Sequence, residues 1–306
     1  MPTVVRCARS WEDTWRLLGS HQLGLYIDRR MNTPTCVTVN AILDRYQRDS
    51  MDSLAPRTRK DYARHIVVLR REFGDRIADE LRPRDFGPFL DVKRGKIQRV
   101  RQLAVLSSAF SEAVSSWYLI ERNVLRDVKR PRSQPRDRLV SDEEFDGVIA
   151  IAPLRMKLAM RLALLTGQRQ GDILRFKWSD IRGGALHLQQ SKTGKRLAIE
   201  LNKELKRILG QCWQLPRGGC DGCEYILPTR NGKPYTSEGF RATYQRVMRK
   251  WMAQGGSRFR YHDLRALAAT KCATPEIAMR LLGHSNISMT LKVYRRGIER
   301  VQALSV

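Results

Sequence analysis

The sequence predicts a mainly α-helical protein with a small β-sheet, an α+β chain divided into two domains. Long stretches repeat apolar residues every three or four positions, which is the period of an amphipathic helix, and only two short runs read as strands. A stretch rich in proline and arginine near the middle separates two such helical regions. With 306 residues the chain is long enough to form two hydrophobic cores.

The composition is strongly basic. Lys and Arg number 57 against 31 Asp and Glu, which gives a formal net charge of +26. The excess is spread along the chain and favours a polyanion, so nucleic acid is the expected partner. A ribosomal type of RNA-binding protein or a protein of the membrane surface would share this charge. No apolar run reaches about 18 residues and the first residues lack a secretory signal. We therefore expect a cytoplasmic protein, nucleoid-associated or in a host cell, with no membrane partner.

The first half of the chain predicts a helical domain behind a short extension. Residues 1–36 show no long periodicity and are expected to form an N-terminal extension. Over residues 37–128, three apolar faces mark an all-α domain, and its polar faces are rich in Arg and Lys, which favours contact with phosphates. These faces consist of Val39, Ile42, Leu43 and Tyr46; Tyr62, Ile66, Leu69 and Phe73; and Leu103, Leu106, Phe110, Val114 and Trp117.

A basic linker and a second domain complete the chain. Residues 129–140 contain two prolines and five basic residues, which is typical of an extended linker. A capping box at Ser141 then starts a second domain over residues 141–306. In it, an apolar helix ends at Gly167, and two strand-like runs flank the turn SKTG, which carries Lys192. The residues after the last tyrosine form a short amphipathic tail that is expected to dock on a neighbouring protomer.

The last quarter of the chain holds the densest set of candidate functional residues. His262 and Arg265 are three positions apart, on one face of a predicted helical turn. A later helix is closed by Gly283, so His284 is expected just past its end. Tyr294 follows on a further short helix, although a single tyrosine there is also typical of a half-buried packing residue. Two imidazoles, a guanidinium and a phenol suit a site that handles phosphate.

These residues and their flanks resemble the tyrosine recombinases, also called phage-type integrases. LLTGQRQGDILRFKWSDI resembles the first arginine box of that family, and SKTGKR resembles its β-hairpin lysine. HDLRA resembles the His-x-x-Arg box, and LLGHSNISMTLKVY resembles the segment from the second histidine to the nucleophilic tyrosine. The motifs span about residues 138–296, and the helical character of 37–128 is similar to the core-binding domain of the family. The site residues that match are Arg169, Asp172, Lys192, His262, Arg265, His284 and Tyr294.

The sequence departs from the family pattern in small ways. Asp172 stands where glutamate is more usual, and Ala266 stands where histidine is common. Tyr294 follows His284 by ten residues, a spacing that the family uses. None of these differences removes a chemical group, so the resemblance implies an active enzyme.

The implied reaction is cleavage and rejoining of DNA strands through a 3′-phosphotyrosine intermediate, for the integration or excision of a phage or mobile element. Tyr294 would attack the phosphorus, with His262 as the general base. Lys192 would protonate the departing 5′ oxygen.

The remaining site residues would bind or brace the phosphate. Arg169 and Arg265 would each bind non-bridging oxygens bidentately, which a lysine does less well. His284 would hydrogen-bond a phosphate oxygen. Asp172 would orient His262 or brace Arg169.

The resemblance also implies an assembly. The helical core-binding domain and the catalytic domain would form a C-shaped clamp on double-stranded DNA at attachment sites, and four protomers would assemble on that DNA. An excision or directionality factor could accompany them. No cofactor, no ATP and no metal ion is expected.

Three other functions remain open at this point. A type IB topoisomerase would share the catalytic pocket but would only nick and reseal one duplex. A DNA-binding protein without catalysis would keep the basic surfaces. A zinc-dependent RNA-binding protein could use Cys212, Cys220 and Cys223, although the six cysteines are more typical of free thiols.

Overall fold

The structure is a computed structural model of the chain, and it describes residues 37–131, 138–216 and 223–294. The chain divides into two compact units, Met1–Gln134 and Pro135–Val306. The division falls within the predicted linker 129–140, part of which lies outside the described residues. The extension 1–36 and the tail after Tyr294 lie outside them as well, so the predicted domain bounds stay predictions. In the part of the chain that the structure describes, no helix is long and apolar enough to cross a membrane.

The first unit is helical, as the apolar periodicity predicts. Its helices are α1 (Val39–Asp49), α2 (Pro56–Phe73), α3 (Gly87–Leu90) and α4 (Lys96–Ser115). The side chain of Thr38 accepts a hydrogen bond from the backbone of Ala41 and so caps the first turn of α1. Proline at the first position of α2 fits a helix start because that N–H has no partner within the helix.

The core of this unit is the set of predicted apolar faces. Ile42 and Leu43 of α1, Leu69 of α2 and Leu106 of α4 are fully buried. The ring of Phe73, the last residue of α2, packs against the ring of Phe86, with the two ring centroids 5.1 Å apart. Each of the three predicted apolar faces over residues 37–128 therefore lies on a helix and contributes buried residues to this core.

In its described residues, the second unit combines helices with one sheet. Its helices are α5 (Asp142–Ile151), α6 (Leu154–Thr166), α7 (Gln170–Ile173), α8 (Lys203–Trp213), α9 (Ser237–Ala253), α10 (Asp263–Lys271), α11 (Pro275–Leu282) and α12 (Ile287–Met289), followed by a π-helix, Thr290–Tyr294. The predicted capping box is present, since Ser141 and Glu144 exchange hydrogen bonds at the start of α5. The mainly α-helical fold with a small sheet is confirmed.

The sheet has three antiparallel strands in the order β1 (Ile181–Arg182), β2 (Ala185–Gln189) and β3 (Arg196–Glu200). The β2–β3 hairpin around SKTG is the predicted one, and it pairs Gln189 with Arg196 next to the turn. The short strand β1 was not predicted. It pairs with β2 through the turn at Gly183 and Gly184, whose φ angles of 56° and 74° suit glycine.

Helix α10 lies at the centre of this unit. It packs against α6 on one side and α11 on another. Tyr261, two residues before its start, is buried and donates a hydrogen bond of 2.6 Å to the carbonyl of Ala159 in α6. Seven of the nine residues of α10 form a buried run from Asp263 to Ala269. A charged side chain on this helix is therefore enclosed by the fold.

Candidate active site

Arg265, the third residue of α10, is the buried centre of the candidate site. Its side chain is 1% exposed. One terminal nitrogen, Nη1, donates to the carbonyl of Gly167 at 2.5 Å, and the other, Nη2, donates to the carbonyl of Leu282 at 2.6 Å. Both carbonyls stand at the C-terminal ends of helices, α6 and α11, where they lack partners within the helix and carry partial negative charge. Two helix ends thus stabilise this cation.

Two glycines make that arrangement possible. Helix α6 ends at Gly167 and α11 ends at Gly283, with φ angles of 64° and 68°. Both are left-handed conformations that favour glycine, and they turn the chain away so that the last carbonyls face Arg265. The sequence predicts both helix ends, and the structure confirms them.

The guanidinium of Arg265 stays charged and keeps a spare donor. Burial, and then the nearby charge of Arg169, lower its pKa to about 10, so it is a cation at neutral pH. Its Nε is buried and has no hydrogen-bond partner among the residues that the structure describes. A buried donor without an acceptor is unfavourable and indicates a place for a ligand oxygen.

His284 is a neutral hydrogen-bond acceptor. Its Nε2 lies 3.1 Å from Nη2 of Arg265, and because arginine can only donate, Nε2 carries no proton. The proton is therefore on Nδ1, which donates to Oγ1 of Thr290 at 2.8 Å. Burial and the charges of Arg265 and Arg169 lower the pKa of His284 to about 4. In this arrangement Nε2 accepts from Arg265, and the expected hydrogen bond of His284 to a phosphate oxygen stays a prediction.

Tyr294 ends the π-helix with its hydroxyl group 3.1 Å from Nε2 of His262. Its ring lies 4.8 Å from the ring of His284 and 5.3 Å from the guanidinium carbon of Arg265. His262 itself is exposed at the start of α10. His262 and Arg265 lie in different environments, exposed and buried, yet both converge on Tyr294.

Arg169 joins the site through a glutamine. It precedes α7, and its Nη1 donates to Oε1 of Gln190 at 3.0 Å. Gln190 is buried at the end of β2 and also donates to the carbonyl of Leu282, the same carbonyl that Arg265 uses. No motif in the sequence predicts a role for Gln190.

Among the described residues, the carboxylate of Asp172 hydrogen-bonds to Arg175 and Ser191 and to neither of its predicted partners, His262 and the side chain of Arg169. It is buried, and its Oδ1 accepts from Arg175 at 2.7 Å. The same oxygen accepts from the backbone and the hydroxyl of Ser191 at 3.0 and 2.8 Å. The carboxylate of Asp172 therefore braces the β2–β3 turn through Ser191.

Lys192 is exposed on that turn. Within the described residues it lies outside the hydrogen-bonded set formed by the other candidates. The lysine of the same turn that reaches the set is Lys195, whose Nζ donates to the carbonyl of His284 at 3.3 Å. The structure thus brings Arg169, His262, Arg265, His284 and Tyr294 together and leaves Lys192 at the rim.

The cysteines give little support to a zinc site. Cys212 is buried in the core, where burial raises the pKa of its thiol to about 12. In the part of the chain that the structure describes, no group of three or more His, Cys, Asp or Glu side chains is placed to hold a metal ion. Cys223 donates to the carbonyl of Gly232 at 3.1 Å, and Cys220 lies outside the described residues.

Residues 143–299 match the family model of the phage integrase family, and this span contains all seven candidate site residues. The chain belongs to the phage integrase family. The integrase of Escherichia phage HK022 is 29% identical over 294 residues, which cover 90% of this chain and 80% of that relative. The integrase of Escherichia phage lambda is 28% identical over 277 residues, covering 85% and 76%.

Solved structures of the lambda integrase have the same fold. A dimer of residues 75–356 bound to a COC′ core site superposes with a TM-score of 0.75 at 27% identity, and the match covers 87% of this chain and 99% of that one. A tetramer bound to a Holliday junction gives a TM-score of 0.74 at 27% identity, covering 95% and 87%.

Proposed function

We propose that the chain is a site-specific DNA recombinase, an integrase, that cleaves and rejoins DNA strands through a 3′-phosphotyrosine at Tyr294. The observation that carries this proposal is the 3.1 Å contact between the hydroxyl of Tyr294 and Nε2 of His262, beside the guanidinium of Arg265. A phenol has an ordinary pKa of about 10 and is a weak nucleophile at neutral pH. A base and a fixed positive charge, the two aids it needs, both contact this tyrosine.

The first step exchanges one phosphate ester for another. Oη of Tyr294 forms a bond to phosphorus while the bond from phosphorus to the 5′ oxygen breaks. The phenolic proton passes to Nε2 of His262, and the 5′ oxygen takes a proton from Lys192, whose exposed turn would move toward the phosphate. A 5′-hydroxyl from another strand then attacks the phosphotyrosine and reverses the step, so rejoining needs no ATP.

The two arginines supply the charge that the transition state needs. Negative charge builds up on the non-bridging oxygens as phosphorus becomes five-coordinate. The unpaired Nε of Arg265 offers one of these oxygens a donor that is already in place. Arg169, the neighbouring guanidinium, would bind the other oxygen. A preorganised donor of this kind contributes about 3–4 kcal/mol to transition-state stabilisation.

We infer that the substrate is double-stranded DNA carrying attachment sites, on which four protomers assemble. The support is the net charge of +26 and the likeness to a lambda integrase that binds a core site and forms a tetramer on a Holliday junction. The protein would act in the cytoplasm, where a directionality factor could select integration or excision. Asp172 would hold the turn of Lys192 through Ser191.

The test is a covalent trap. Purified protein is incubated in EDTA with DNA from the flanks of its own gene, prepared with a nick beside the expected cleavage position so that the released strand diffuses away. We expect an SDS-resistant adduct that ends in a 3′-phosphate linked to Tyr294. Tyr294→Phe should form none, whereas Tyr118→Phe, which alters an exposed tyrosine of the first unit, should match the wild type.

Each other outcome has a definite meaning. An adduct that survives Tyr294→Phe would show that another residue is the nucleophile. Tight binding without any adduct would favour a DNA-binding protein without catalysis. Relaxation of supercoiled plasmid without strand exchange between two sites would favour the topoisomerase.

A further inference from the structure

Gln190 is a buried amide whose hydrogen-bonding capacity is fully used. Its side chain is 0% exposed. Oε1 accepts from Nη1 of Arg169 at 3.0 Å and from Oγ1 of Thr193 at 2.8 Å. Nε2 donates to Oε1 of Gln168 at 2.7 Å and to the carbonyl of Leu282 at 2.9 Å. Two accepted and two donated bonds are all that one side-chain amide can make.

The partners fix which end of the amide is which. Arginine can only donate, so the atom facing Arg169 is the oxygen. A backbone carbonyl can only accept, so the atom facing Leu282 is the nitrogen. A flipped amide would place like groups against each other at both positions, and Gln190 therefore has one orientation here.

This orientation links the two arginines of the site. The carbonyl of Leu282 accepts from Gln190 at 2.9 Å and from Nη2 of Arg265 at 2.6 Å. The path from Arg169 to Arg265 therefore runs through one amide and one carbonyl. Two like charges held close together repel, and the charge of Arg169 indeed helps to lower the pKa of Arg265. Without a fixed neutral group between them, the more mobile guanidinium would move away.

We propose that Gln190 is a positioning residue that sets the spacing of Arg169 and Arg265, so that both guanidiniums bind one phosphate. This inference rests on the proposed function of the site. Through the hydroxyl of Thr193, the same oxygen of Gln190 also ties the arginine pair to the turn that carries Lys192. Movement of that turn would then displace Arg169.

The test is a double-mutant cycle on the rate of single-turnover cleavage, with saturating protein and the nicked DNA substrate. Gln190→Met keeps the length of the side chain and removes all four hydrogen bonds. We expect it to lower the rate about 100-fold, the loss that misplacement of a catalytic group by about 1 Å can cause. In an Arg169→Lys background, where Nη1 is missing, the same substitution should lower the rate by no more than about threefold, since coupled residues are not additive.

A control separates positioning from stability. Val148 of α5 is fully buried and takes no part in the site, so Val148→Ala should lower the melting temperature without changing the saturated rate. Should Gln190→Met fail to fold, Gln190→Glu provides a second route. It keeps the shape and an oxygen against Arg169, but its carboxylate competes with phosphate for that guanidinium, and we expect a rate at least about tenfold lower.

The results distinguish the two proposals. If Tyr294→Phe still forms the adduct, the proposed function fails. If the adduct depends on Tyr294 but Gln190→Met or Gln190→Glu cleaves at the wild-type rate, only the positioning role of Gln190 is overturned. Equal losses for Gln190→Met with and without Arg169 would also overturn it, because they would indicate a general structural effect.

Discussion

Replacing Thr290 by valine removes a single hydroxyl group from the contact that holds His284. Thr290 is 0% exposed, and its Oγ1 lies 2.8 Å from Nδ1 of His284. Valine has nearly the same shape, so the substitution opens no cavity. His284 cannot compensate by shifting its proton, because its Nε2 must stay free to accept from Arg265.

The size of the expected loss in cleavage rate follows from the N–H at Nδ1 of His284, which the substitution leaves without an acceptor. A buried N–H that loses its acceptor costs about 1–3 kcal/mol. The imidazole can avoid this cost by rotating away, but the ring of Tyr294 packs against it at 4.8 Å and would lose its support. Since about 1.4 kcal/mol corresponds to a tenfold change in rate, we expect single-turnover cleavage to fall about 10- to 100-fold.

Thr290→Ser is the matched control. It keeps the acceptor for Nδ1 and removes one buried methyl group, which lowers the free energy of unfolding by about 1 kcal/mol. Chemical denaturation therefore reports a loss for both variants, and the cleavage rate separates them. The serine variant should cleave within about threefold of the wild type. Equal rates for the valine and serine variants would refute the idea that the Thr290 hydroxyl holds His284 in place.

Three further predictions concern stability and binding. Gly283→Ala should lower the free energy of unfolding by at least about 1 kcal/mol more than the control Gly184→Ala. Both glycines have a positive φ, but only at Gly283 would an added Cβ meet a neighbouring atom, Nε2 of Gln190 at 2.8 Å. Equal losses of the two variants in chemical denaturation would contradict this. The fold lowers the pKa of His284 from 6.5 to about 4, so on acidification the unfolded chain binds a proton at His284 before the folded chain does. The stabilisation that comes from the neutral, buried His284 is therefore complete above pH 6.5 and is lost as the pH falls toward 4. The measurement is the denaturation midpoint between pH 6.5 and 4 for the wild type and for His284→Asn. The same pH dependence in both proteins would contradict a role of His284 in this loss of stability. Binding of attachment-site DNA should weaken about 1,000-fold between about 50 and 200 mM salt, and a nearly flat titration would exclude phosphate contacts as its main source.

Local sequence patterns predict most of the fold. The helices around Leu43, Leu69 and Leu106 follow from apolar periodicity, because one face of each must leave water. The helix ends at Gly167 and Gly283 follow from the conformational freedom of glycine, and both have the expected left-handed backbone. Such signals depend on a few neighbouring residues, so one sequence is enough to read them.

The chemistry of the candidate site is predicted only in part. The sequence contains the groups, and the contact of His262 with Tyr294 agrees with the proposed roles of base and nucleophile. It does not reveal which atom of His284 carries the proton, since that depends on Arg265 lying against it. Asp172 illustrates the same limit, because its partner Ser191 is 19 residues away in the chain and meets it only through the turn of a hairpin.

Gln190 was not predicted for a related reason. At the end of a strand and next to a turn, a glutamine is typical of a solvated position. It is buried here because the end of α11 lies over it and offers the carbonyl of Leu282. Only a tertiary contact distinguishes such a residue from an ordinary surface glutamine.

The way in which two helix ends hold Arg265 has a consequence for protein engineering. The motif HDLRA can be copied into another scaffold, but the acceptors that fix its arginine belong to Gly167 and Leu282, which lie on two other helices. In a recipient without two helices that terminate against the same point, the guanidinium would either turn outward to solvent or destabilise the interior. The transferable unit is therefore a three-helix junction, and a search for unrecognised sites of this kind should look for converging helix termini around an arginine rather than for the short sequence motif.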